Sequence, residues 1–442
     1  MGSTPTPGRE AGTVRRRAAL LATAALVAPL AACATAEAGP PTLTWYINPD
    51  SGGQSRIAEQ CTEESGGAYA IETALLPRDA PGQREQLIRR LAANDASIDI
   101  MSLDPPYIPE FANAGFLAPI PDDVAEAVTQ DVAEGAVAGA TFRDELVTVP
   151  FWANTQLLWY RTSVAEAAGL DMTQPVTWDE IVQAAADQGK TVAVQGVRAE
   201  SLTVWVNALV ESAGGHVLGD PEAEEGADIA PSLDTDAGRR AAEVIATLAD
   251  AGVGGPQLAN ANEDINASMF EDDEQAGFMV NWPFVWPRAN GAVESGSLDP
   301  SVVEDYGWAL YPQVDEGQES RPPYGGINLG VGAFSEHVDL AFEAVQCIVD
   351  PARQAEYFVS DGNPPSSLVA FDDPEVQEAF PMADVIRDSL QNAAPRPQTQ
   401  FYNEVSTSLQ RTWHAPGSVS PDTSPREADE LIEAVLSGEA LL

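Results

Sequence analysis

Hydrophobic positions along the chain switch between two periods. Short apolar runs at 42–47, 68–76 and 97–103 are of strand length. Between them, helical spacing predicts a helix from the turn-rich loop 48–53 to about 66. It predicts a second over 80–96, with Leu87, Ile88 and Leu91 on one face. This β-α-β-α-β order predicts a parallel sheet covered by helices. Asn48, Asp50 and Asp104 then follow strands at one sheet edge.

Further on, residues 122 to about 138 read as one helix. Residues 141–150 are hairpin-like around Arg143-Asp144-Glu145, and Phe151-Trp152-Ala153-Asn154 leads into a strand over 155–160. Helices are predicted at 177–189, where Thr177 and Glu180 form a capping box, and at 201–213, 236–251 and 262–271. The stretch 277–286, Gly-Phe-Met-Val-Asn-Trp-Pro-Phe-Val-Trp, begins as a strand. Pro283 cannot donate to a sheet, so the strand stops there, and proline suits the first turn of a helix. Asn281 and Trp282 thus fall at a strand end, where open α/β sheets hold ligands. Trp282 is either a core residue or the wall of such a site. Strands at 308–312 and 327–334 follow, with helices at 338–350, 351–360, 374–380, 383–392, 403–413 and 426–436.

At 442 residues and 44% hydrophobic composition, the chain suits two or three domains, each with a core. Charge narrows the partners. There are 22 basic and 68 acidic residues, net -46, and Lys190 is the only lysine. Such a surface repels nucleic acid and anionic lipid. Its self-repulsion points to a salty habitat, where counter-ions screen it.

Arg15-Arg16-Arg17 precede an apolar run, 18–32, that is too short to span a bilayer at about 20 residues. Residues 1–32 read as an export signal, by the twin-arginine or the general route. Its end, Leu30-Ala31-Ala32-Cys33, resembles the lipobox of bacterial lipoproteins. On that reading Cys33 is lipidated, 33–41 is a tether, and the protein sits on the outer face of the cell membrane. Cys61 and Cys347 remain, as a disulfide or as two buried thiols.

Catalytic and cofactor motifs are missing. His216, His337 and His414 are far apart and form no metal motif. Asp234-Thr235-Asp236 starts like a calcium loop, but Gly238 and Ile245 stand where acids belong. The glycines from Gly325 to Gly332 open no helix, so no phosphate loop is expected. No cofactor and no metal are expected. Paired carboxylates for glycoside hydrolysis stay open, because acids are everywhere.

Several ordered motifs carry a resemblance from about residue 42 to the C-terminus. They are Leu76-Pro77-Arg78 with Gln83-Arg84-Glu85-Gln86-Leu87, then Asp99-Ile100-Met101-Ser102-Leu103-Asp104, then Asn154-Thr155-Gln156-Leu157-Leu158-Trp159-Tyr160. Val280-Asn281-Trp282-Pro283-Phe284-Val285, Gly325-Gly326-Ile327-Asn328-Leu329 and Arg396-Pro397 complete the set. The chain resembles the substrate-binding lipoproteins of carbohydrate ABC importers, most of all the trehalose-binding lipoproteins of actinobacteria. The resemblance implies an α/β, two-lobed periplasmic-binding-protein-like fold (type II) with hinge crossover strands. Lobe I would be 42–150 plus 330–366, and lobe II 151–329 plus 367–442.

It also implies a site. Asp104, Asn154, Glu263, Trp282, Gly326 and Arg396 would hold the disaccharide, with Tyr107, Trp152 and Tyr402 as further contacts. Tyr107 stands where the family has Trp, and the stretch from Glu263 to Trp282 is one residue longer. An indole covers a sugar's apolar face, carboxylates accept from hydroxyl pairs, and arginine offers a fork of donors. Without the resemblance, Asp104 reads as a turn residue, Asn154 as loop, Glu263 as a first-turn acid and Arg396 as a surface partner. Cys61 and Cys347 would both lie in lobe I, implying one disulfide there. The expected protein is a monomeric, non-catalytic receptor for trehalose or a related α-linked glucose disaccharide, docking on an ABC permease. A secreted glycoside hydrolase, a maltose receptor and an adhesion lipoprotein are the alternatives.

Overall fold

In the strand Thr42–Ile47, Leu43, Trp45 and Ile47 face one way and Tyr46 the other, and all four are buried. The first three pack on Ile57, Ala58, Ile348 and Tyr357, while Tyr46 joins Leu87, Leu91 and Met101. Burial on both faces explains why Trp45, Tyr46 and Ile47 follow one another without a polar residue between them. The computed structural model describes residues 39–272 and 274–442. The expected signal 1–32 and the Cys33 lipidation site lie outside the described residues.

Five strands form the first sheet, in the order Ala70–Leu75, Thr42–Ile47, Ile100–Leu103, Tyr324–Val331, Val149–Thr155. The first three are parallel, linked by the helices Gly53–Glu64 and Ala80–Leu91, as the alternating pattern predicts. Tyr324–Val331 runs antiparallel to both of its neighbours. The second sheet has four strands, in the order Tyr306–Ala309, Leu157–Arg161, Ala276–Asn281, Thr191–Ala193. Its core is aromatic on one side, where Trp178 meets Trp205 and Tyr311.

One residue, the buried Gln156, separates the strand Val149–Thr155 of the first sheet from Leu157–Arg161 of the second. The expected single strand over 155–160 is therefore two strands in two sheets. Sheet membership keeps all of Val149–Thr155 and all of Tyr324–Val331 in the first sheet. Sheet membership changes at Gln156 and again between Ala309 and Tyr324.

The expected helix over 122 to about 138 is also two: Asp122–Thr129 and Glu134–Ala138. Between them Asp131 adopts a positive φ of 56°, and Ala133 N donates to Ser366 O. Pairing with a distant segment overrides the local helical preference. Cys61 and Cys347 are disulfide-bonded, with Cα atoms 5.9 Å apart, and this ties Gly53–Glu64 to Val338–Ile348. Among the described residues no helix is long and apolar enough to cross a membrane.

Candidate functional site

The strand Ala276–Asn281 ends where Pro283 stops it, and the helix Val285–Glu294 follows one turn later. Asn281 is fully buried and holds this corner together. Its Nδ2 donates to Glu263 O at 3.0 Å, its Oδ1 accepts from Trp282 N at 2.9 Å, and its carbonyl accepts from Trp159 Nε1 at 3.0 Å. Asn281 is thus a positioning residue that brings Trp282 beside Glu263, the first residue of the helix Glu263–Asp272. The Trp282 indole donates to the Glu263 carboxylate. Trp282 is only half-buried, which removes the reading of a plain core residue.

Trp282 lines a cleft of about 590 Å³. Asp104, Asn154, Glu263, Gly326 and Arg396 line the same cleft, as does Trp152. All six expected contact positions are therefore brought together, from segments up to 292 residues apart. They come from both sheets. Asp104 follows Ile100–Leu103, Asn154 lies on Val149–Thr155, Gly326 lies on Tyr324–Val331, and Trp282 follows Ala276–Asn281. Gly325 supports the indole, because a Cβ there would sit 3.0 Å from the Trp282 ring. Gly326 has φ 120° and a Cβ there would fall 2.2 Å from Trp152 O, so only glycine fits.

Tyr107 and Tyr402 are not in this cleft. They are buried together, ring edge to face with centroids 5.2 Å apart. Tyr402 acts one step back, its hydroxyl donating to Glu200.

Glu200 lines the cleft as well and was not expected. It opens the helix Glu200–Ser212, where an acid is favoured by the helix dipole regardless of function. Arg396, 5% exposed, lies between it and Asp104. Arg396 Nη2 donates to Asp104 Oδ1 at 2.6 Å, and Nη1 donates to Glu200 Oε1 at 2.6 Å. Burial opposes charge on Arg396, but the two carboxylates outweigh it and push its pKa well above the usual value. Burial also raises the Asp104 carboxyl, and Arg396 opposes that rise. The Glu263 carboxyl is raised by burial to about 7, with Glu200 adding to the effect.

Asp50 and Arg78 line the cleft too. Asp50 spends its oxygens on Gly52 N and Gln54 N at the start of the first helix. This wall offers an aromatic face, a fork of donors and several carboxylate acceptors. It suits a ring with apolar faces and a hydroxyl rim. Among the described residues no group of three His, Cys, Asp or Glu side chains could hold a metal ion.

A sequence model of the bacterial extracellular solute-binding proteins matches residues 78–355, well over half of the chain. The fold is similar to several solved structures. Maltose-bound MalE3 from T. maritima is 24% identical, with a TM-score of 0.73 over 90% of this chain and 100% of that one. The sugar-binding protein MalE from Xanthomonas citri is 18% identical, with a TM-score of 0.75 over 90% and 98%. The cyclic alpha-maltosyl-1,6-maltose binding protein from Arthrobacter globiformis is 21% identical, with a TM-score of 0.71 over 90% and 100%. These likenesses establish the two-lobed, mixed α/β periplasmic-binding-protein-like fold.

Proposed function

This chain belongs to the bacterial extracellular solute-binding proteins, and we propose that it captures trehalose, or a related α-linked glucose disaccharide, for an ABC importer. One observation carries the reading: Asp104, Asn154, Glu263, Trp282, Gly326 and Arg396 converge on a single cleft. Trp282 covers one sugar face. Asp104, Glu200 and Glu263 accept from hydroxyls, and Asn154 and Arg396 supply donors. Sugar touching both lobes stabilises the closed form by its extra contacts there. That form docks on the membrane permease, and a separate ATPase drives transport.

The protein acts by binding alone, as a monomer, held at the outer membrane face by lipid on Cys33. Maltose is the second candidate. It has the same two glucose units, and it is the sugar bound to the T. maritima protein MalE3. A glycoside hydrolase would turn over a chromogenic glucoside, whereas this receptor leaves it intact. Titration calorimetry with trehalose, maltose, sucrose and glucose is the test. Saturable heat with trehalose at the lowest concentration supports the reading. No heat and no thermal shift with any of them would remove it.

A further inference from the structure

The two oxygens of Glu200 are used unequally. Oε1 accepts from Arg396 Nη1 at 2.6 Å and from the Tyr402 hydroxyl. Oε2 accepts from no described residue, and the side chain is 19% exposed where it lines the cleft. Both donors meet one oxygen, so the other is left for the cleft. A glutamate side chain is free to turn about several bonds, and ordering it costs rotamer entropy. Two donors on one oxygen order it in advance, which a ligand then need not do.

Tyr402 supplies the second donor from outside the cleft. It is 1% exposed and does not line the cleft wall. Its ring is set edge to face on Tyr107, with centroids 5.2 Å apart, and the Arg396 guanidinium lies 6.0 Å from its centroid. Tyr107 follows the strand Ile100–Leu103 of the first sheet. Val405 and Leu409, on the helix Tyr402–Thr412, pack instead with Leu158 and Phe278 of the second sheet. The hydroxyl that reaches Glu200 is therefore held from both halves of the molecule. Burial and the Glu200 charge push the Tyr402 pKa well above its usual value, so the hydroxyl keeps its proton and donates. Glu200 is its only hydrogen-bond partner among the described residues.

We propose that Tyr402 is a positioning residue for sugar recognition, and that Glu200, aimed by it, selects the ligand through one hydroxyl group. The proposal rests on the sugar-receptor reading of the cleft and names the residue pair that sets its selectivity. A site built to bond a hydroxyl rejects the analogue that lacks it, because its acceptor is then left unpaired. Tyr402→Phe keeps the ring on Tyr107 and removes only the donor. Glu200 then stays on Arg396 but is free to turn, and Oε2 is no longer held toward the cleft.

The test is titration calorimetry on the full chain with trehalose, maltose, and analogues of each that lack one hydroxyl. Wild type should bind one analogue at least about tenfold more weakly than its parent sugar through Glu200. Tyr402→Phe should weaken the parent sugar about tenfold and shrink that one penalty, leaving the penalties at other hydroxyls unchanged. A merely structural role would not single out one hydroxyl. Glu200→Gln should remove the same penalty, and the double variant should be no weaker than Glu200→Gln alone. A melting curve checks that each variant is folded. Tyr402→Phe with wild-type affinities, or with every penalty intact, overturns the proposal while sparing the receptor reading. Glu200→Gln with every wild-type penalty does the same, whether or not the Tyr402 variant folds. Silence of the wild type with both sugars overturns the receptor reading as well.

Discussion

Arg396 Nη2 donates to Asp104 Oδ1 at 2.6 Å, joining side chains 292 residues apart inside the cleft wall. The same guanidinium holds Glu200, and all three groups are largely shielded from water, at 5%, 16% and 19% exposure. Removing one partner from such a group strands the others. Arg396→Ala would leave two buried carboxylates facing each other without a cation. Its expected cost is about 3–5 kcal/mol of folding stability. Asp104→Asn keeps a polar group on the arginine, and Glu200 still neutralises it, so its cost should be clearly smaller. Urea denaturation of both variants measures this. Equal midpoints for Arg396→Ala and wild type would mean the triad contributes nothing to the fold.

Trp282 should behave in the opposite way. It is half-buried, and its indole is set by Glu263 on one side and Gly325 on the other. Trp282→Ala should leave thermal stability close to wild type and weaken sugar binding by about 2–4 kcal/mol, the range for a buried aromatic anchor. Gly325→Ala tests the same contact from behind, since its new methyl would press on the ring at 3.0 Å. It too should lower affinity. Calorimetry and a melting curve on each variant separate the two effects. A large drop in melting temperature with unchanged affinity would return Trp282 to a packing role.

Much of this arrangement was legible in the chain, for physical reasons. The strand Thr42–Ile47 buries Leu43, Trp45, Tyr46 and Ile47 across both faces, so its apolar residues mark it in the sequence and its bounds match the expectation. Pro283 marks the end of Ala276–Asn281, because a prolyl nitrogen has no hydrogen to give. Thr191–Ala193 has three residues and no room for a period, so it was not foreseen. Gln156 divides two sheets without proline, glycine or any change of pattern, because the break is set by which neighbours each strand finds. Glu200 escaped notice because a first-turn acid is ordinary in a chain with 68 of them. Asn281 falls at the strand end as expected, and its amide is consumed by Glu263 O and Trp282 N.

Glu263 carries a pH dependence with a definite sign. Burial raises its carboxyl from an ordinary 4.5 to about 7. Within that window the folded chain keeps a proton that the unfolded chain has released. Stability from this group is therefore complete below 4.5 and is lost as pH rises through about 7. Other acids shift downward, such as Asp95, held at about 2 by Ser97 and Arg90, so the raw curve mixes several groups. The difference between wild type and Glu263→Gln isolates one. That difference should change across the window and level off above it. A difference that stays constant with pH would show that Glu263 titrates normally.

The disulfide between Cys61 and Cys347 spans 286 residues. Closing so long a loop restricts the unfolded chain strongly. Replacing both cysteines by serine should cost about 2–5 kcal/mol. Neither cysteine lines the cleft, so sugar affinity at low temperature should survive. Denaturation midpoints with and without reductant check the first statement, and calorimetry on the double variant checks the second. Free thiols on unreduced protein would contradict the bond itself.

Salt should stabilise this protein, although it weakens individual ion pairs. Two effects compete. Surface pairs such as Arg239 with Asp234 and Arg387 with Asp372 lose strength as salt rises, but each exposed pair contributes only about 0–1 kcal/mol. Against them stands a net charge of -46, so most carboxylates have no cation to pair with and repel one another. Raising ionic strength from 0.1 M to 1 M shortens the screening length from about 10 Å to about 3 Å. That removes repulsion between neighbouring acids over the whole surface, whereas the pairs lost are few and weak. The melting temperature should therefore climb steadily with sodium or potassium chloride. A melting temperature that falls, or stays level, over this range would mean that local pairing outweighs the field of the unpaired acids.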